Sequence, residues 1–370
     1  MTRIGRLFFT GCLVAHALPA AARQPPQEVV VFQRNKDGYD TYRIPALVRS
    51  GKETLLAFAE GRKAGGGDSG DIDIVLKRSM DGGRTWAALQ VVADAGPHTY
   101  SNPCPVVDRD TGRIWLPFNW NHGENSVVQN KRGSGQGIRE VFLCFSDDEG
   151  ATWSKPKNIT QAVKRKGWTW YATGPGCGIQ LRDGRLVIPC NHRVEGKNDK
   201  NSISHVIYSD DHGKSWQIGG DVPEERTNEA QVVELDNGAL LLNMRSHHGK
   251  NLRAVSLSRD RGETWSKVAF DETLFDPTCQ ASIIGLPEQP DNRSRIAFAN
   301  PASSKARENL TIRLSYDDGN TWPVSRQVYS GGSGYSSLVA LPEGQLGCLY
   351  EKDRFKRLVF IRLGLDWLEK

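Results

Sequence analysis

SMDGGRTW at residues 79–86 returns in altered form as SDDEGATW at 146–153, SDDHGKSW at 209–216, SRDRGETW at 258–265 and SYDDGNTW at 315–322. The shared form is S-x-D-x-G-x-[ST]-W, and five matches to it exclude chance. Successive copies are spaced by 67, 63, 49 and 57 residues, the length of one supersecondary unit in a repeat protein. An apolar, β-rich run enters each copy: IDIVLKRS, VFLCFS, ISHVIYS, AVSLS and TIRLS. Each run reads as a strand entering a turn, where Ser and Asp bond nearby backbone, Gly takes a left-handed position and Trp returns to the sheet. Asp81, Asp148, Asp211, Asp260 and Asp317 are therefore expected to hold hairpins rather than to do chemistry, and their spacing does not fit an EF-hand calcium loop.

Between the copies lie further strand-and-turn pairs: TLLAFAEGR, GRIWLPFNW, GRLVIPCNH, GALLLNMRS, SRIAFANP and QLGCLYEKD. No long amphipathic helical pattern competes with them. About four short strands per repeat predict an all-β fold, a six-bladed β-propeller. The strands after Ser336 join a strand near Val29–Arg34, so that both chain ends build the sixth blade.

The 370 residues carry 25% charged and 38% hydrophobic side chains, a globular composition that can bury a large core. Residues 1–23 place Arg3 and Arg6 before an apolar run and a small-residue exit, the layout of a cleavable signal peptide. Export, to the periplasm or beyond the cell, is the expectation, with residues 24–370 as the propeller domain. A lipoprotein reading of Cys12 is disfavoured because the apolar stretch before it is only a few residues long. No later segment is long and apolar enough to span a bilayer. Cys104, Cys144, Cys177, Cys190, Cys279 and Cys348 remain after the leader. They are spread widely without CxxC or Cys/His spacing, so buried thiols are expected, with no metal site and no cofactor. The net charge of +5 comes without long basic blocks, which excludes an evident nucleic-acid partner.

The repeats, called Asp boxes, together with Tyr42-Arg43-Ile44-Pro45, resemble the sialidase (neuraminidase) family. The likeness extends through FAEGR at 58–62, SNPCP at 101–105, GPG at 174–176, NEAQVVEL at 228–235, NMRS at 243–246, ARENLTIRLS at 306–315, SGYSSL at 333–338 and CLYE at 348–351. It implies a retaining glycoside hydrolase that removes terminal sialic acid from glycoproteins, glycolipids or oligosaccharides. A monomer is the separate expectation, which no motif in the sequence fixes.

Such a substrate carries a carboxylate on its anomeric carbon and reacts through an oxocarbenium-like state. Arginine suits it, because its planar fork bonds a carboxylate bidentately and never loses its proton. The resemblance places that triad at Arg43, Arg245 and Arg307; Arg307 is preferred to Arg313 because it precedes the Thr311-Ile312 strand. A carboxylate nucleophile would be repelled by the substrate, and sialidases use tyrosine instead. The matching residue is Tyr335, expected at an exposed tip beside the GGSG run, with Glu229 as its base. In the loop AGGGDSGDID, Asp68 aligns best with the general acid, with Asp71 and Asp73 at the strand entry as alternatives. Arg62 resembles a further arginine that contacts the sugar, and Glu351 resembles the carboxylate that fixes Arg43. Trp120, Trp170, Tyr171 and Gln280 are candidates for lining the acyl and glycerol pockets. Alternatives to hydrolysis are a trans-sialidase, a glycosidase for a related nonulosonic acid, or a glycan-binding propeller without catalysis.

Overall fold

A computed structural model describes residues 26–196, 201–286 and 294–370; the expected leader lies outside them. The strands form six blades of a β-propeller. Blade I is Thr41–Arg49, Leu55–Arg62, Ile72–Ser79 and Gln90–Ala93, each antiparallel to the last. Blade II has a broken inner strand, Thr99–Ser101 and Val106–Val107, followed by Ile114–Asn121, Glu140–Ser146 and the short Lys157–Asn158. Blade III likewise begins with two pieces, Trp168–Thr173 and Ile179–Gln180, before Leu186–Val194, Ser202–Ser209 and Gln217–Asp221. Thr227–Glu234, Leu240–Ser246, Leu252–Ser258 and Ala269–Phe275 make blade IV. Blade V is Ser282–Leu286, Arg295–Pro301, Glu308–Ser315 and the first half of the long strand Val324–Leu341.

That long strand crosses between blades. Through Gly332 it pairs with Glu308–Ser315, and from Ser333 it pairs with Gln345–Lys352 as the inner strand of blade VI. Blade VI continues with Arg357–Gly364 and is completed by Gln27–Gln33 from the other end of the chain, antiparallel to it. Both chain ends thus close the ring as expected. Helix among the described residues is confined to Val127–Arg132, Thr160–Val163 and Leu365–Leu368.

Each middle strand is buried on both faces because each blade packs on two neighbours. Ala46, Leu56 and Phe58 of blade I meet Ile114, Leu116 and Phe118 of blade II. Val206 of blade III meets Val232 and Leu240 of blade IV, and Ile312 of blade V meets Leu338 and Leu346 of blade VI. This explains the near-continuous apolar runs in place of strict alternation. Cys144, Cys190 and Cys348 sit in such strands, whereas Cys177 lies in the link between Trp168–Thr173 and Ile179–Gln180; all six cysteines of the described residues are free thiols.

The Asp boxes join the third and fourth strands of blades I to V. In the first, Asp81 accepts from the Thr85 N–H at 2.9 Å, the Thr85 hydroxyl at 2.6 Å and the Ser79 hydroxyl at 2.8 Å, while Ser79 Oγ accepts from the Gly83 N–H at 2.8 Å. The other four repeat this pattern. The glycine has two reasons to be there. Gly83 has φ +88°, and a Cβ on it would stand 2.1 Å from the Phe360 ring of blade VI; on Gly150 it would stand 2.3 Å from Leu56 of blade I. Each of these turns is docked on the preceding blade, so the boxes fasten blade to blade as well as closing hairpins. In blade VI the third and fourth strands come from opposite chain ends, and no turn connects them. Hence six blades need only five boxes.

These carboxylates set an acid limit. Slight burial opposes the charge on Asp81, but hydrogen bonds from Thr85 and Ser79 outweigh it and bring its pKa to about 2. The Thr152 hydrogen bonds bring Asp148 to about 2, and Asp211, Asp260 and Asp317 are also lowered. A carboxylate whose folded pKa is depressed adds stability that is complete above its unfolded value, about 3.9, and is lost as pH falls through the folded one. The melting temperature is therefore expected to drop between about pH 4 and pH 2, less steeply in Asp81→Asn than in the parent. A flat profile over that window, by calorimetry, would contradict this.

Candidate active site

The eight predicted site residues come from four blades and meet on one face. Arg43, Glu229 and Tyr335 lie near the starts of inner strands, Arg62, Arg245 and Glu351 near the ends of second strands, Arg307 just before a third strand, and Asp68 in a loop between second and third strands. In antiparallel blades those positions all fall at the same end, which is the mouth of the propeller.

Local irregularity aims them. The pairing of the first two strands of blade I slips between Arg43 and Ala46, with Ile44 at φ +57°. A β-branched residue in the left-handed region is strained, and such strain persists only where its surroundings enforce it. Here the Ile44 N–H donates to Glu351 Oε1 at 3.1 Å. Similar slips occur around Glu229, between Thr227 and Ala230, and around Tyr335, between Ser333 and Ser336. Bulges of this kind turn a side chain out of the regular alternation.

Glu351 organises the Arg43 side of the site. It is fully buried, bonds Arg43 Nε at 3.0 Å and Nη2 at 3.3 Å, and accepts the backbone N–H groups of Ile44 and Tyr335, the latter at 2.9 Å. Burial opposes the charge on Arg43, but Glu351 more than compensates and its pKa is raised. Gly334 is dictated by this carboxylate, since a Cβ there would stand 2.1 Å from Glu351 Oε2.

Tyr335 is not at an exposed tip. It is 5% exposed, packed with Ile44 and Cys279, and the GGSG run lies inside the continuous strand Val324–Leu341. The glycines mark close approach and the passage between blades, rather than a loop. Its hydroxyl donates to Glu229 Oε1, and Arg245 Nη1 stands 2.8 Å from Glu229 Oε2 and 3.1 Å from the Tyr335 hydroxyl. The guanidinium carbons of Arg43 and Arg307 lie 5.3 and 5.5 Å from the centre of the tyrosine ring. Arg313 points elsewhere, to Asn300 at 3.1 Å.

The electrostatics divide the tyrosine from its neighbour. Burial, then the Glu229 charge, push Tyr335 well above the ordinary phenol range. Burial also disfavours the Glu229 anion, but Arg245 and the Tyr335 hydrogen bond prevail and lower its pKa. A neutral phenol therefore faces an ionised carboxylate, the arrangement of a nucleophile and its general base.

Asp68 reaches the same mouth. Arg62 Nη1 is 2.8 Å and Arg43 Nη1 3.6 Å from its Oδ1, and the side chain is 56% exposed. Burial raises its pKa, but Arg62 and Arg43 override it and hold the carboxyl below the usual range. The alternatives are engaged elsewhere: Asp71 pairs with Lys63 at 3.0 Å, and Asp73 accepts from the Tyr39 hydroxyl at 2.6 Å.

Two of the four suggested pocket residues do not line a pocket. Tyr171 is fully buried with its hydroxyl on Cys190, and Gln280, 1% exposed, exchanges hydrogen bonds with the backbone of Ser336. Gln280 instead steadies the strand that follows Tyr335. Trp120 and Trp170 are half-buried, and the Trp170 indole donates to Asn191 at 3.1 Å.

Three residues escaped the sequence reading. Glu60 takes Arg62 through one oxygen and the Asn102 N–H through the other at 2.9 Å. Asn102, at φ +57°, accepts from Arg139 at 2.8 Å, and the same guanidinium bonds Ser101, Asn121 and the Tyr171 carbonyl. Burial brings Arg139 down to about 10. Arg139, Asn102 and Glu60 thus form a buried chain behind Arg62. Its legible signals were Glu60 two residues before Arg62, which puts both charges on one face of a strand, and the SNPCP segment that holds Asn102; Arg139 had none.

Comparison with known proteins bears on the family and the fold. The family model described as a BNR repeat-like domain matches residues 53–348. The chain is 36% identical to a sialidase of Micromonospora viridifaciens over 97% of its own length, spanning 57% of that relative. An exo-alpha-sialidase of Arthroderma benhamiae is 30% identical over 90% of the chain and 85% of the relative. Among solved structures, the Hadza microbial sialidase Hz136 superposes with a TM-score of 0.85 at 34% identity, covering 92% of this chain and 69% of that one. Fold, site and relatives converge: the chain belongs to the sialidase family of BNR-repeat β-propellers.

Proposed function

We propose that the protein is an exo-sialidase that hydrolyses terminal α-linked sialic acid from glycoconjugates with retention, through a covalent tyrosyl intermediate. The observation that carries this reading is the Tyr335–Glu229 hydrogen bond at the centre of three arginines. Arg43, Arg245 and Arg307 hold the substrate carboxylate and bring the anomeric carbon to Tyr335. Tyr335 Oη attacks that carbon while Glu229 takes its proton, and Arg245 stabilises the charge that develops. The bond to the leaving oxygen breaks as Asp68 gives it a proton. Water, deprotonated by Asp68, then attacks the same carbon, and Tyr335 departs with the proton returned by Glu229. Two displacements retain the configuration.

Asp68 must carry a proton for the first step, although two arginines hold it ionised in the free protein. The incoming substrate carboxylate competes for Arg43, which removes part of that stabilisation and raises the Asp68 pKa as the complex forms. Asp68→Asn is accordingly expected to lose about 10²–10⁴-fold in kcat/KM on a sialyl-lactose, whose leaving group needs the proton. On an aryl sialoside with an acidic phenol leaving group the loss should stay within about tenfold. Equal losses on both substrates would remove Asp68 from the acid role. The overall reading is tested by following an aryl sialoside by proton NMR. Release of the α-anomer of free sialic acid first is expected, whereas the β-anomer, an anhydro product, or no turnover between pH 4 and 8 would overturn it.

A further inference from the structure

A second cluster of chemically capable side chains lies in blade III and shares no residue with the arginine–tyrosine site. His192, His205 and Asp221 come from its second, third and fourth strands, and register sets His205 directly opposite Asp221. His192 and His205 are 1% and 0% exposed, while the Asp221 side chain is 31% exposed. The two imidazoles face each other with Nδ1 atoms 3.1 Å apart, and Asp221 Oδ1 stands 4.0 Å from His192 Nδ1.

Without a ligand this arrangement is poorly satisfied. The two rings meet through Nδ1 and share a single proton between them, and Asp221 Oδ1 is buried with no hydrogen-bond partner among the described residues. A buried acceptor left unpaired is costly. The rest of the cluster is firmly held: Trp168 stacks on His192 at 3.6 Å between ring centres, and Arg165 binds the other Asp221 oxygen at 3.0 Å.

We infer that His192, His205 and Asp221 form a binding site for a divalent transition metal, zinc in the first instance. Two nitrogens about 2.05 Å from a tetrahedral zinc are separated by about 3.3 Å, close to the spacing of the Nδ1 pair. A carboxylate shift of under about 1 Å would bring Asp221 Oδ1 to the third corner. Imidazole and carboxylate suit zinc, copper or nickel rather than calcium. By tying three strands of one blade together, the ion would stabilise blade III.

The test uses the tag-free full chain, freed of metal by a chelator and titrated with Zn²⁺ by calorimetry, with Co²⁺ as a spectroscopic substitute. One equivalent of Zn²⁺ is expected to bind, with a melting-temperature rise of about 3–5 °C at a hundredfold excess over Kd. Co²⁺ should give intense visible bands from a low-coordinate nitrogen–oxygen site. Asp221→Asn, nearly isosteric and on the open side, should lose at least tenfold in Zn²⁺ affinity and the cobalt bands while remaining folded. His212→Gln serves as control, because Asp108, Asp110 and His212 form the other group of possible ligands among the described residues. Absence of stoichiometric binding, or binding lost in His212→Gln and kept in Asp221→Asn, would overturn the assignment.

Discussion

Replacing Tyr335 by Phe is expected to lower kcat by at least roughly 10⁴-fold, with the fold intact and substrate binding largely preserved. The substitution removes one oxygen and nothing else. The ring remains packed against Ile44 and Cys279, and the three arginines keep their places. Glu229 loses one hydrogen bond but retains Arg245 at 2.8 Å, so the stability cost should be about 1–2 kcal/mol. The loss therefore belongs to the chemical step. Steady-state kinetics on an aryl sialoside, beside a calorimetric melt, separate the two. A kcat within about tenfold of the parent would mean that Tyr335 is not the nucleophile.

Arg43→Ala should damage binding and stability together. Its guanidinium is proposed to grip the substrate carboxylate, and a buried bidentate ion pair of this kind contributes about 4 kcal/mol, so kcat/KM should fall roughly 10³-fold. Glu351, fully buried, would be left with two backbone N–H groups and no cation. Stranding a buried charge costs about 3–5 kcal/mol, and those two donors place the cost toward the lower end. The double substitution Arg43→Ala with Glu351→Gln separates the effects: melting temperature should recover, activity should not. Recovery of both would mean that Arg43 serves only to neutralise Glu351.

The propeller was readable because its repeat is local. Ser, Asp, Gly and Trp occupy fixed places within eight residues, and each bond of the turn closes inside that window. Closure of the ring was readable too, since apolar strands remained at both ends with no box between them. The arginines and Glu229 were found through short segments resembling known ones. What could not be read depends on contacts across the sequence. Tyr335 looked like a loop tip because glycines crowd before it, yet Gly334 is there to make room for Glu351, a residue from the next strand. Tyr171 and Gln280 looked like pocket residues until packing buried them. Arg139 carries no motif, and only folding brings it to Asn102 and Glu60. The histidines of blade III likewise become neighbours through strand register alone.

The central claim is that Tyr335 bonds covalently to the sugar. A sialosyl fluoride bearing a second fluorine at C3 tests it, because that fluorine slows both displacements while the good leaving group lets the first proceed. Intact-mass spectrometry should show one fluorosialyl unit per chain, and peptide mapping should place it on Tyr335, with no adduct in Tyr335→Phe. An adduct on Glu229 or Asp68, or turnover of the reagent without any adduct, would contradict it.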